Sequence, residues 1–228
     1  MPLSPSTYVI VPGAGDAAAN WELVAARLRG HGQDVVAVDL PSDDPTATFS
    51  DYADVVVEAI GDRTGVVVVG HSLGGFTAPL VADRVDAELL VLVSAMVPRP
   101  GETAGDWWSA SGYTEATRDQ DQQDDEIAVF MHDVPPALAA VALARGRVQA
   151  GRPMEVPWPL AAWPDVPTRF LLCRDDRFFP AAFVRRMVEE RLGLVPDEID
   201  GSHSVYLSRP RELADRLQAY VAERAGAR

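Results

Sequence analysis

The sequence predicts an α/β protein built on a doubly wound, mostly parallel sheet. Two observations carry that prediction. Short β-branched runs alternate with segments whose apolar residues recur at helical spacing. The runs are also continuous rather than alternating in polarity, as expected of parallel strands covered on both faces.

The expected strands lie at 8–11, 35–38, 66–69, 89–93 and 170–172, with a weaker one near Leu194-Val195. Trp21, Val24, Ala25 and Leu28 repeat at helical spacing, and Gly30 and Gly32 stop that helix. Ser50 is the expected N-cap of a helix carrying Tyr52, Val55, Val56 and Ala59. Further helices are expected over 73–84, 181–192 and 210–224, the last with Leu213, Leu217 and Tyr220 on one stripe. The rhythm breaks between Pro98 and Pro167. That stretch holds Trp107-Trp108, an acidic run from Asp119 to Glu126, a helix after Pro135-Pro136 and five further prolines. It reads as a lid (98–167) inserted over the strand ends of one domain spanning 1–228. The acidic run reads as a solvated face rather than a metal site.

Composition narrows the function classes. The 228 residues carry a formal net charge of −14. Nucleic acid and anionic membrane surfaces demand a basic patch, so both are disfavoured as partners. The chain contains no lysine, which excludes Schiff-base chemistry. Cys173 is the single cysteine and ends an apolar run, Phe170-Leu171-Leu172, so a structural role is expected. No run approaches the roughly 20 apolar residues of a membrane span, and no leader pattern opens the chain. A soluble, cytoplasmic protein is expected. Rich Ala, Arg and Asp usage points to a GC-rich bacterial genome.

The strongest chemical signal is Gly70-His71-Ser72-Leu73-Gly74-Gly75. It fits G-x-S-x-G, with a strand before it and an apolar helix after it. A turn this tight strains the serine backbone, so its neighbours must be small. Gly70 and Gly74 meet that need. Ser72 is therefore the candidate nucleophile, and it needs a base. Of the four histidines, His31 lies in a glycine turn, His71 is constrained within the elbow and His132 falls in the expected lid. His203, in Gly201-Ser202-His203, follows the last strand at the carboxyl end of the sheet, where open α/β folds bind ligands. It is the candidate base. The orienting acid should lie between serine and histidine in the chain, and Asp175 and Asp176 both follow the strand at 170–172. Only one can reach His203; the other is expected to pair with an arginine. Two N–H donors must hold an oxyanion. The Leu73 amide is one candidate, and Ala14, in Pro12-Gly13-Ala14-Gly15, is the other.

Together these residues resemble the α/β-hydrolase superfamily over nearly the whole chain. They are most similar to its small-lid branch, which holds plant methylesterases, plant hydroxynitrile lyases and bacterial esterase-like proteins. Pro12-Gly13-Ala14 matches the branch's first-strand loop, usually His-Gly-Ala, with Pro12 as the departure. Ser94-Ala95-Met96-Val97-Pro98 followed by Gly101-Glu102-Thr103 is similar to its lid entry. The acid loop of that branch uses its second acidic position, which implies Asp176. Its lyases carry threonine in the first loop and lysine after the histidine. Here those places hold Gly13 and Ser204, which favours ester hydrolysis. The methylesterases tend to carry methionine where Ser204 stands.

The expected activity is therefore hydrolysis of a small apolar carboxylic ester through an acyl-enzyme, with no cofactor and no metal. Gly13, Trp107, Trp108, Phe130, Trp158 and Phe178 are the candidate pocket residues, and their aromatic character points to an apolar substrate. Lactone or thioester hydrolysis, carbon–carbon cleavage, and a small-molecule receptor with a near-idle triad are the alternatives on the same residues.

Overall fold

A computed structural model describes residues 5–118 and 125–226. Six strands form one parallel sheet: β1 (Thr7–Val11), β2 (Asp34–Ala37), β3 (Val66–His71), β4 (Ala87–Val93), β5 (Thr168–Cys173) and β6 (Asp197–Ile199), in the order β2-β1-β3-β4-β5-β6. The chain reverses its direction of travel across the sheet after β2, so β1 and β3 become neighbours. Ligands of open α/β sheets bind beyond the carboxyl ends of such strands.

The continuous apolar runs arise because both faces are covered. Val9, Val11, Val66, Val68, Leu90, Leu92, Phe170 and Leu172 face one core, closed by α2 (Phe49–Ile60), α3 (Gly74–Arg84) and α9 (Ala181–Leu192). Tyr8, Ile10, Val67, Val69, Val91, Val93 and Leu171 face the other, closed by α1 (Glu22–Gly30), α10 (Val205–Ser208) and α11 (Pro210–Gly226). Each fully buried Val, Leu or Phe contributes about 1.5–3 kcal/mol. A slip of one residue would send every side chain to the opposite core.

Between β4 and β5 the described residues include five helices joined by loops: α4 (Ala104–Ala110), α5 (Tyr113–Ala116), α6 (Glu126–Phe130), α7 (Pro136–Arg145) and α8 (Arg152–Glu155). Most of the acidic run, 119–124, lies outside the described residues. The root of the segment is locked to the body by a buried ion pair. Arg191 of α9 bonds Glu102 through two nitrogens and also donates to Val97 O at 2.6 Å, with the two side chains 1% and 8% exposed.

Two local expectations need correction. The last strand is Asp197–Ile199, not the Leu194-Val195 pair; Val195 is 93% exposed. The cap of α2 is Thr48, not Ser50. Thr48 Oγ1 accepts from Asp51 N, and Asp51 reaches back to the Thr48 N–H, a reciprocal box that leaves Ser50 inside the helix.

Candidate active site

The turn from β3 into α3 holds Ser72 at φ 51, one of two non-glycine residues with positive φ among those described. That conformation costs an L-residue roughly 1–2 kcal/mol, and the surroundings enforce it. The Ser72 carbonyl accepts from Gly75 N at 3.0 Å and Met96 N at 2.9 Å. No larger residue fits beside it. A Cβ at Gly74 would lie 2.5 Å from Val11 O, and one at Gly75 would overlap the Met96 carbonyl. At Gly70 it would meet the Ala78 methyl at 2.6 Å.

The first loop closes on the turn from the other side. A Cβ on Gly13 would stand 2.9 Å from Ser72 Cβ, so this backbone passes directly over the serine. Neither the Ala14 nor the Leu73 amide appears as a donor among the turn and loop backbone hydrogen bonds of the described residues. Both residues line the same cavity as Ser72.

His203 sits in a clamped loop. Gly201 N donates to Asp175 Oδ2 at 3.0 Å, Ser202 N to Asp133 Oδ2 at 3.2 Å and Ser204 N to Phe130 O at 3.0 Å. The His203 carbonyl accepts from His71 Nε2 at 3.0 Å. With its backbone fixed at four successive residues, the imidazole presents Nδ1 to Asp176 Oδ2 at 2.7 Å. Asp176 is buried, and its Oδ1 accepts the Phe178 and Phe179 N–H groups at 2.8 and 2.9 Å. The arginine partner expected for Asp175 is not found among the described residues. The Asp175 carboxylate instead holds Gly201 in the loop that carries His203.

Ser72, Leu73, Gly13, Ala14 and His203 share a cavity of about 610 Å³. Asp176 stands behind His203. Among the described residues no hydrogen bond joins Ser72 Oγ to His203; such bonds are often long in unliganded enzymes and tighten around substrate. Trp108, Phe130 and Phe178 form an aromatic wall. Trp107 and Trp158 do not line the cavity. Both indoles are buried and spend their N–H groups on Val97 O (3.1 Å) and Phe76 O (2.9 Å), so they fasten the segment to the body.

His71 is buried, and burial followed by the neighbouring His203 holds its pKa well below the ordinary value. Cys173 is buried, its thiol pushed far upward by that burial, and its N–H donates to Ser94 Oγ at 3.0 Å. His132 donates from Nε2 to Asp175 O at 2.8 Å, and His31 is exposed. The sequence reading missed Asp16, Asn20, Gln149 and Tyr206, which also line the cavity. The nearness of Asp16 and Asn20 to Gly13-Ala14-Gly15 was the available signal. Among the described residues no cluster of His, Cys, Asp and Glu could hold a metal, and no helix is long and apolar enough to cross a membrane.

The chain belongs to the alpha/beta hydrolase family, whose model matches residues 8–216. Among curated proteins it is similar to norfluorocurarine synthase 1 of Strychnos nux-vomica, with 23% identity over 92% of this chain and 93% of that protein. It is likewise similar to methylesterase 9 of Arabidopsis thaliana, with 24% identity over 92% and 96% of the two chains. Among solved structures, polyneuridine aldehyde esterase superposes with a TM-score of 0.80 at 23% identity, covering 96% of this chain and 100% of that one.

Proposed function

We propose that this protein is a serine esterase in which Ser72 is the nucleophile, His203 the general base and Asp176 the orienting acid. One observation carries the reading. The left-handed Ser72 opens onto the cavity that also exposes His203, and His203 is held at Nδ1 by a buried carboxylate. That contact places the ring proton on Nδ1 and leaves Nε2 free to accept a proton.

In the proposed reaction Ser72 Oγ attacks the ester carbonyl while His203 Nε2 takes its proton. The Leu73 and Ala14 amides hold the oxyanion; a donor of this kind is worth about 10²–10³ in rate. His203 returns the proton to the leaving alkoxide, which departs as the alcohol. Water then attacks the acyl-enzyme with His203 again as base, releasing the acid and restoring Ser72. The aromatic wall of Trp108, Phe130 and Phe178 suits an apolar part of a small-molecule substrate, and segment 98–167 serves as its lid. The methylesterase and esterase relatives support ester hydrolysis over lyase chemistry, and Gly13 brings no side-chain hydroxyl to the first loop. Lactones and thioesters pass through the same steps and belong in the substrate panel.

The test is reaction with a fluorophosphonate, read by intact mass. One adduct on wild type and none on Ser72→Ala is expected. A folded wild type that stays unlabelled, or equal labelling of both, would overturn the assignment and move the receptor alternative forward.

A further inference from the structure

The first loop is bonded to the connection between α7 and α8. Gly13-Ala14-Gly15-Asp16 makes a turn closed by Asp16 N, which donates to Gly13 O at 3.3 Å, with Gly15 at φ 60. Ala14 stands exposed at the tip of that turn and lines the cavity. Gly15 gives both of its backbone groups to the connection. Its carbonyl accepts from Arg147 N at 2.7 Å, and its N–H donates to Gln149 Oε1 at 3.3 Å. The approach leaves no room for a side chain, since a Cβ on Gly15 would lie 2.5 Å from Arg147 O.

Gln149 is itself oriented. Its Nε2 donates to the Tyr52 hydroxyl and to Ala150 O, each at 3.1 Å. A flipped amide would set NH₂ against the Gly15 N–H and oxygen against the Ala150 carbonyl, so the acceptor faces Gly15. The connection is also tied to the body. Ala150 N donates to Ser42 O at 2.6 Å, and Arg147 Nη2 donates to Asp43 Oδ1 at 2.9 Å. Peptide units are planar, so holding the Gly15 N–H and carbonyl holds the planes on both sides of that residue. Only the two soft dihedrals of Ala14 then separate this fixed unit from the Ala14 N–H. A glutamine amide neither gains nor loses a proton near neutral pH, so its contribution is geometric.

We propose that Gln149 is a positioning residue which, from the lid, aims the Ala14 amide at the oxyanion. The assignment rests on the esterase reading and deepens it: the α7–α8 connection becomes a fixed support of the oxyanion hole.

The test compares the whole enzyme with Gln149→Met and Gln149→Ala, which remove the acceptor, and with Gln149→Glu, which keeps it. The side chain is partly exposed, so all three should fold, and urea unfolding checks this. Initial rates on p-nitrophenyl butyrate give kcat and KM. Phenethyl trifluoromethyl ketone reads the oxyanion without turnover. Ser72 Oγ adds to the ketone carbon, the serine proton passes to His203, and the ketone oxygen becomes the alkoxide in the hole. Phenethyl methyl ketone, which binds without that addition, is the control. Deleting an oxyanion donor costs about 10²–10³ in rate and misaiming one costs less, so kcat of the Met and Ala variants should fall about ten-fold with KM within about two-fold. The trifluoroketone should bind them about ten-fold more weakly and the plain ketone within about two-fold of wild type. Gln149→Glu should recover to within about three-fold of wild type in kcat and trifluoroketone affinity.

Met and Ala variants within about two-fold of wild type in both quantities would overturn the proposal. Equal weakening of the two ketones, the mark of a merely structural role, would overturn it as well, as would a Glu variant no better than Met. Ser72→Ala and the fluorophosphonate reaction are run beside them. Activity that depends on Ser72 but not on Gln149 defeats the positioning role alone. A wild type that takes no label, or a Ser72→Ala enzyme as active as wild type, defeats the esterase reading and this assignment with it.

Discussion

Replacing Asp176 by asparagine alters one atom and leaves the size of the side chain unchanged. Oδ1 now accepts two backbone N–H groups, and Oδ2 holds His203 Nδ1. Asparagine has one acceptor oxygen, and the two fixed N–H donors claim it. Turning the amide over would leave both donors unpaired, at about 2–6 kcal/mol for the two. The NH₂ group therefore faces His203, Nδ1 must accept, and the ring proton moves to Nε2. A ring protonated there cannot take the proton of Ser72. The expected fall in kcat is about 10⁴-fold, or roughly 5.4 kcal/mol of transition-state stabilisation. The fold should lose far less, about 1–2 kcal/mol, because every partner keeps a hydrogen bond. Initial rates on p-nitrophenyl esters, with urea unfolding alongside, measure both quantities. A folded Asp176→Asn enzyme within about ten-fold of wild type in kcat would refute the reasoning.

Two further outcomes follow from buried charge. Glu102→Ala leaves the Arg191 guanidinium, 1% exposed, with the Val97 carbonyl and the Trp107 ring but no counter-charge. It should cost about 3–5 kcal/mol in urea unfolding, whereas Glu102→Leu with Arg191→Met should be close to neutral; a single-variant loss under about 1 kcal/mol would contradict this. His71 should make stability depend on pH. Its folded pKa is depressed below the ordinary 6.5, so as pH falls through 6.5 the unfolded chain takes up a proton that the fold refuses, and stability is lost. Between pH 7.5 and 5.5 wild type should lose on the order of 1 kcal/mol more than His71→Asn; equal losses would show that the ring is not held neutral.

Five strands were legible because each is a run of branched or aliphatic residues buried on both faces. The sixth was misplaced by a few residues because Asp-Glu-Ile at the sheet edge carries almost no apolar signal. Thr48 was overlooked as a cap because Ser50 is also a capping residue type; only the reciprocal bond to Asp51 distinguishes them. The candidate site was readable where local chain geometry dictates it, as in the glycines around Ser72. Aromatic residue type alone could not separate Trp108, on the cavity wall, from Trp107 beside it, whose N–H is drawn inward by Val97 O. Gln149 also lines the cavity and accepts from Gly15 N, and nothing in its own segment marks it, because only the fold brings residue 149 beside the first loop.

The bond from His71 to the His203 carbonyl has a consequence in time. The serine turn is local, formed by β3, the first turns of α3 and the adjoining strands β1 and β4. The histidine arrives from a segment 131 positions further along, and its loop is held by groups from β3, the β5–α9 turn and the region around Phe130. Contacts of such long range form late, since the intervening chain must be ordered first. A chain emerging from the ribosome therefore holds a shaped serine turn before its final quarter docks. On the assignment proposed above, Ser72 would gain its base only with completion of the fold.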